Sequence, residues 1–316
     1  MIKIDLITGF LGSGKTTFIK KYVSYLVSQG NRVGILENDF GAVNVDMMLL
    51  QDIAGENVEL EMVAGGCDYD CHVRRFKTKL ISMYMSGYDR VIVEPSGIFD
   101  VDEFFDVLRE SPLENWYEIG NVIAVVDAKL ENNLSAQSEY MLASQLACAG
   151  KAVMSRTQNA GEADMRNTLS VMNSSLEKSG CRRRFTLDEI ERGNWFEFSD
   201  DDFGRLLKSG YRLEDHVKQQ FGKENSFDSL YYMNSDFTED RLKDACVKLM
   251  SDESCGKVFR IKGFFEGEEG WKELNATVDN INISPVEKGQ KIVIVIGENL
   301  NPENCDNIMQ AKNGVL

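Results

Sequence analysis

The run Gly9-Phe10-Leu11-Gly12-Ser13-Gly14-Lys15-Thr16-Thr17 holds the residues whose types and spacing most directly imply chemistry. Its spacing is that of a phosphate-binding loop, G-x-x-x-x-G-K-[ST]. Gly9, Gly12 and Gly14 admit backbone conformations closed to other residues, so N–H groups from Ser13 to Thr17 can turn inward around a phosphate. A helix N-terminus behind them adds to the attraction. Lys15 is expected to reach the β- and γ-phosphates, and Thr16 to put its hydroxyl on Mg²⁺. Glu94 ends an apolar run over 88–94 and is followed by Pro95-Ser96-Gly97. A buried strand ending in an acid downstream of such a loop is the Walker B pattern, in which the acid holds Mg²⁺ directly or through water. Gly97 would then offer a backbone N–H to the γ-phosphate. Glu37-Asn38-Asp39-Phe40-Gly41 closes another apolar run, over 32–36. Acids and amides there fall in the ligand crevice of an open α/β sheet, and the same residues are equally good turn chemistry. Last come Cys67, Cys71 and His72. Thiolates with an imidazole suit Zn²⁺, with Co²⁺ or Ni²⁺ as alternatives. The plain alternative is two buried thiols and a surface histidine.

These groups need elements to hold them. An apolar run over 2–7 leads into the phosphate loop and a helical pattern over 16–29 leads out. Further buried strands are expected at 122–127 and 151–155, with a helix at 137–149 between them. A basic amphipathic helix is expected over 73–85, with Cys71 and His72 at its start. Strands alternating with helices imply an α/β fold: a P-loop NTPase with a mostly parallel sheet covered by helices on both faces. The expected nucleotide-binding domain is 1–180. Residues 181–225 are polar and read as an irregular helical linker. Residues 226–316 read as a smaller α+β domain with strands at 230–233, 257–265, 271–278 and 292–296 and helices at 238–250 and 302–309.

The 316 residues can bury a proper core, and 43% hydrophobic with 27% charged residues is the balance of a water-soluble chain. A net charge of −16 argues against nucleic-acid or anionic-membrane partners, which require a basic footprint. No stretch approaches the ~20 apolar residues of a membrane-spanning helix. The start reads as a strand rather than a secretory signal, and seven irregularly spaced cysteines point to reduced thiols, so a cytoplasmic location is expected.

Taken together, the motifs resemble the CobW-type family of P-loop GTPases, which includes zinc and cobalt metallochaperones, with urease and hydrogenase accessory GTPases as distant relatives. The resemblance rests on Thr8 to Thr17, Glu37-Asn38-Asp39-Phe40-Gly41, Gly66-Cys67 with Cys71, Glu94-Pro95-Ser96-Gly97 and Val125-Val126-Asp127-Ala128. Farther on, Val258-Phe259-Arg260-Ile261-Lys262-Gly263-Phe264, Trp271 and Ile296-Gly297 resemble the CobW C-terminal domain. The chain departs from the family in four places. Cys67-Asp68-Tyr69-Asp70-Cys71 stands for Cys-x-Cys-Cys, and Ala42 stands for a second switch acid. Ser155-Arg156-Thr157-Gln158 stands where Asn-Lys-x-Asp reads guanine, and the histidine-rich linker is absent, the chain holding only His72 and His216.

The resemblance implies a Mg²⁺-dependent GTP-binding and hydrolysing switch coupled to transition-metal delivery or metallocofactor assembly. Its partner would be a client metalloenzyme or assembly factor, and its state a monomer or homodimer. Lys15, Asp39 and Glu94 would carry hydrolysis, with Thr16, Asp39 and Glu94 around Mg²⁺. Glu37 would join Cys67, Cys71 and His72 around Zn²⁺ or Co²⁺. Ser155, Arg156 and Gln158 would face the base of GTP or GDP. Gln158 offers amide donors where an aspartate only accepts, so weak preference for GTP is expected; Glu162 or Asp164 is the alternative reader. The alternatives to the switch are a nucleotide-gated adaptor and an activator of a partner enzyme that carries no metal.

Overall fold

The computed structural model describes residues 1–39, 45–64, 69–97, 99, 101–213, 227–278 and 280–311. The chain divides into two compact units, Met1–Gln219 and Gln220–Leu316.

In the first unit the elements run β1 (Ile2–Thr8), α1 (Lys15–Ser28), β2 (Val33–Asp39), α2 (Val45–Leu50), β3 (Val58–Ala64), α3 (Tyr69–Ser86), β4 (Arg90–Pro95), α4 (Val101–Leu108), α5 (Leu113–Trp116), β5 (Tyr117–Asp127), α6 (Ala136–Ala147), β6 (Lys151–Ser155), α7 (Glu162–Lys178), β7 (Ile190–Glu191) and α8 (Asp200–Leu206). The strands form one sheet in the order β3-β2-β4-β1-β5-β6-β7, and every pairing is parallel. Apolar residues occupy both faces of each central strand, as a sheet covered on two sides requires. Neighbours such as Ile35 and Leu36, Ile92 and Val93, and Val125 and Val126 send side chains into different cores. One core packs on α1 and contains Phe18, Tyr22 and Trp195; the other packs on α3, α4, α6 and α7. β3 is an element that its sequence, with Glu59 and Glu61 among apolar residues, hides. Within 181–225, the stretch expected as a linker, Ile190–Glu191 adds the seventh strand and Phe203 and Leu206 of α8 enter the α1-side core.

Below the loop that follows β1, a buried polar cluster ties the central strands together. Asp5 is fully buried and accepts from Arg90 Nη1 at 2.6 and 2.7 Å, Tyr22 Oη at 2.9 Å and the Asn121 backbone N–H at 2.8 Å. Burial, then the charge of Asp5, pushes the Tyr22 phenol well above its ordinary pKa.

The second unit is an antiparallel sheet with helices: β8 (Phe227–Met233), α9 (Glu239–Ser251), β9 (Lys257–Gly267), β10 (Gly270–Thr277), β11 (Asn280–Pro285), β12 (Ile292–Glu298) and α10 (Pro302–Met309), in sheet order β11-β10-β9-β12-β8. β11 alternates Asn with Ile and was not expected from the sequence. The core of this unit takes Leu242, Leu249, Ile261, Val293 and Val295.

Candidate functional site: a phosphate loop and its flanks

The loop between β1 and α1 crosses the C-terminal end of the sheet, the ligand-binding edge of an open α/β fold. Gly9, Gly12 and Gly14 all have positive φ, at 149°, 74° and 97°. Gly9 also admits no side chain, since a Cβ there would meet the Val125 carbonyl oxygen at 2.2 Å. α1 opens at Lys15 directly after Gly14 and has no acidic residue in its first turn, so its N-terminus presents N–H groups to an anion. Lys15 is only 6% exposed and donates from Nζ to the Gly9 carbonyl at 3.0 Å, so the loop folds back on its own cation. Ser13 and Thr16 are buried beside it, and Thr17 is exposed.

Thr16 Oγ1 donates to Glu94 Oε1 at 2.7 Å. Glu37 lies opposite Glu94 in the β2–β4 register, and both carboxylates are buried on the α1 side, each 3% exposed. A hydroxyl with two adjacent carboxylates is a set of hard oxygen donors and fits Mg²⁺. The backbone of Asp39 ends β2; its side chain lies outside the described residues. Between them, Asn38 is fully buried, and neither atom of its carboxamide finds a partner among the described residues. Gly97 touches the phosphate loop: a Cβ on it would lie 2.7 Å from the Leu11 nitrogen. From the other side, Gln145 Nε2 donates to the Gly97 carbonyl at 2.9 Å.

At the base end, Asp127 and Ser155 are register partners at the ends of β5 and β6. Arg156 takes a left-handed φ of 54°, donates to the Gly12 carbonyl at 2.7 Å and pairs with Asp127. Gln158 is exposed. Glu162 pairs with Arg166, and Asp164 accepts from the Gly161 N–H, so both acids serve the start of α7. Sequence reasoning missed Trp195. Its indole would stand 3.3 Å from a Cβ on Gly14, near Ser155, and packs edge-on against Phe18. Trp195 Nε1 and Ser155 Oγ are buried with no partner among the described residues. The only sequence signal was an aromatic residue after a Gly-Asn pair in a polar stretch. Gln145 was missed for a similar reason, and Asp127, quoted only within the resemblance, had no role assigned: what each does depends on tertiary neighbours.

The candidate transition-metal set is divided. Cys67 lies outside the described residues. Cys71 is half-buried in the first turns of α3, a helix that begins at Tyr69, earlier than expected. His72 is fully buried, against the surface position of the plain alternative. It heads the stripe of Phe76, Leu80 and Met83, which packs on the face of the sheet opposite α1. Glu37 shares the α1 face with Ile35, so the sheet places Glu37 and His72 on different sides. Among the described residues no three His, Cys, Asp or Glu side chains gather as a metal site, and no helix is long and apolar enough to cross a membrane.

Several known proteins are similar to this chain over part of its length. The zinc chaperone YeiR of Escherichia coli is 30% identical over 150 residues, covering 47% of this chain and 44% of its own. The zinc chaperone YjiA of the same organism is 28% identical over 174 residues, covering 52% of each. The zinc-regulated GTPase metalloprotein activator 1 of Schizosaccharomyces pombe is 24% identical over 187 residues, covering 57% of this chain and 44% of its own. The chain thus spans about half the length of the curated relatives it matches. Residues 3–185, more than half of the chain, match the family described as CobW/HypB/UreG, nucleotide-binding domain, and the chain belongs to that family.

Proposed function

We propose that this chain is a Mg²⁺-dependent GTPase switch that couples its nucleotide state to handling of a transition metal, with Zn²⁺ as the first candidate cargo. The observation that carries the proposal is the Thr16–Glu94 hydrogen bond beside a buried Lys15 at the mouth of a positive-φ loop. The family membership and the zinc chaperones among the relatives support the same reading.

Phosphoryl transfer to water asks little covalent chemistry of a protein and much positioning and charge neutralisation. Lys15 exchanges its Gly9 carbonyl for phosphate oxygens, and the N–H groups at the start of α1 neutralise the rest. Thr16 and Glu94, with Glu37 next to Glu94, would hold Mg²⁺, which when bound supplies positive charge to the phosphate oxygens. The N–H of Gly97, packed on Leu11, reports the γ-phosphate to the 97–101 segment. Asp39 is proposed to orient water, and Cys67, Cys71 and His72 to handle the cargo metal in reduced, cytoplasmic surroundings, for delivery to a client protein.

Phosphate release from GTP with Mg²⁺ tests the proposal, in wild type and Lys15→Ala. Turnover lost in Lys15→Ala, with nucleotide affinity sharply reduced, is expected. Unchanged turnover in the variant refutes the enzyme reading. Tight nucleotide binding without any phosphate release in wild type leaves the nucleotide-gated adaptor instead.

A further inference from the structure

β3 ends the seven-stranded sheet. Beyond a tight bridge between Gly55 and Val58, no described residue pairs with its outer edge. An open edge offers a row of backbone donors and acceptors to another extended chain. Beside this edge runs a groove of about 600 Å³, lined by Met62 and Val63 of β3, of which Val63 faces α3, and by Arg74, Arg75, Thr78, Lys79 and Ser82 of α3. Arg74 and Arg75 are exposed on the helix flank, and the Arg74 guanidinium makes no ion pair among the described residues. Lys79 pairs with Glu61 at 2.8 Å, and Arg75 is engaged as well. A chain with 51 acidic and 35 basic residues has here set three cations along one groove.

We propose that this groove docks an extended acidic segment of a partner protein, added as an eighth strand on β3. The backbone edge supplies affinity through main-chain hydrogen bonds, and the α3 wall supplies the choice of charge. Acidic side chains alternate along such a strand, so one in two points toward Arg74, Arg75 and Lys79. A second copy of this chain is the poorer occupant, because two β3 edges meeting about a two-fold would bring both basic walls together. The groove begins one helical turn from Cys71, so the docked segment lies next to the candidate metal-handling residues. The proposal does not depend on hydrolysis, and the test reads binding without nucleotide or metal.

The probe is a fluorescein-labelled decapeptide of alternating valine and glutamate, titrated with the full chain and read by anisotropy at moderate salt. Saturable binding is expected, weakened at least about tenfold by Arg74→Glu with Arg75→Glu. Thr78→Glu, also exposed on that wall, should weaken it independently, with melting curves of all variants matching wild type. A peptide with proline at every valine keeps the charge but cannot pair with an edge, and it should fail, as should the valine–lysine peptide. Equal binding of the proline peptide, unchanged affinity in the variants, or no binding of the acidic strand overturns the proposal. So does a dimer in sedimentation velocity that the Arg74→Glu, Arg75→Glu variant dissolves, or binding to phosphatidylserine vesicles lost in that variant while the peptide goes unbound.

Discussion

Replacing Gly97 by alanine tests whether the segment after β4 and the phosphate loop work as one packed unit. Gly97 does not sit in the left-handed φ region, so alanine meets no such strain there, and the effect comes from space. The added Cβ would sit 2.7 Å from the Leu11 nitrogen and 2.9 Å from its Cα, where ordinary contact begins at 3.4 Å. The two segments must therefore part by about 0.5–0.7 Å. Gly97 cannot retreat freely, because Gln145 holds its carbonyl from behind at 2.9 Å, so much of the shift falls on the loop. Overpacking of this kind costs about 1–3 kcal/mol, or about 5- to 150-fold in affinity for a ligand that needs the loop in place. Fluorescent GDP and GTP-analogue titrations should show a loss in that range. Gln145→Ala should return part of the affinity to the Gly97→Ala protein, because it frees Gly97 to move, and neighbouring changes are not additive. Wild-type affinity in Gly97→Ala would refute the argument, since the two backbones would then be free to separate at no cost.

Four further outcomes are expected. Asp5→Ala leaves the largely buried Arg90, 11% exposed, without its partner and should cost about 3 kcal/mol of unit-one stability in urea unfolding; Asp5→Asn should cost less, as it keeps an acceptor for Tyr22. Burial pushes the Cys246 and Cys305 thiols up to about 12, so in a Cys67→Ala background half-buried Cys71 should react first with a thiol reagent at pH 8, and Zn²⁺ should protect it if it is a ligand. Burial and the hydrogen bond to Glu59 raise Tyr88 from 10.0 to about 12; a phenol raised on folding contributes its stability below the unfolded pKa and loses it through the folded one, so the difference in urea midpoint between wild type and Tyr88→Phe should hold steady up to about pH 9.5 and shift against wild type as pH climbs from about 10 through 12. With Gln158 exposed and Arg156 engaged by Asp127 and Gly12, competition should show GTP preferred over ATP by at most about a hundredfold, and a preference above a thousandfold would mean that another group, with Trp195 the first suspect, reads the base.

The phosphate loop was legible because its chemistry is local: glycines, a lysine and a threonine at fixed spacing, between an apolar run and a helix. Glu94 was legible for a related reason, since a buried strand that ends in an acid stands out in any sequence. β3 and β11 were not, because both are edge strands whose outward residues, Glu59 and Glu61 or Asn280 and Asn282, dilute the apolar pattern. β7 is two residues long and gains its identity only from pairing with Ala152 and Val153. Trp195 and Gln145 reach the site from distant points of the chain, and spacing carries no trace of such contacts; Asp127 sat in a quoted motif, but its pairing with Arg156 could not be read from it. The division between Glu37 and His72 was equally invisible, since it depends on which face of a sheet each side chain takes.

The central place of β1 bears on how the molecule comes into being during synthesis. β1 pairs with β4 on one side and β5 on the other, so its second neighbour is complete only when Asp127 has been made. At about 5–20 residues per second, roughly 6–24 s separate Thr8 from that point. Until Pro95 is made an apolar strand, Ile2–Thr8, waits with neither flanking strand, and until β5 is made with only one, an open invitation to wrong pairings. The phosphate loop, made ahead of the other motifs of this unit, is thus assembled late, and nucleotide has no finished loop to bind until most of the first unit exists.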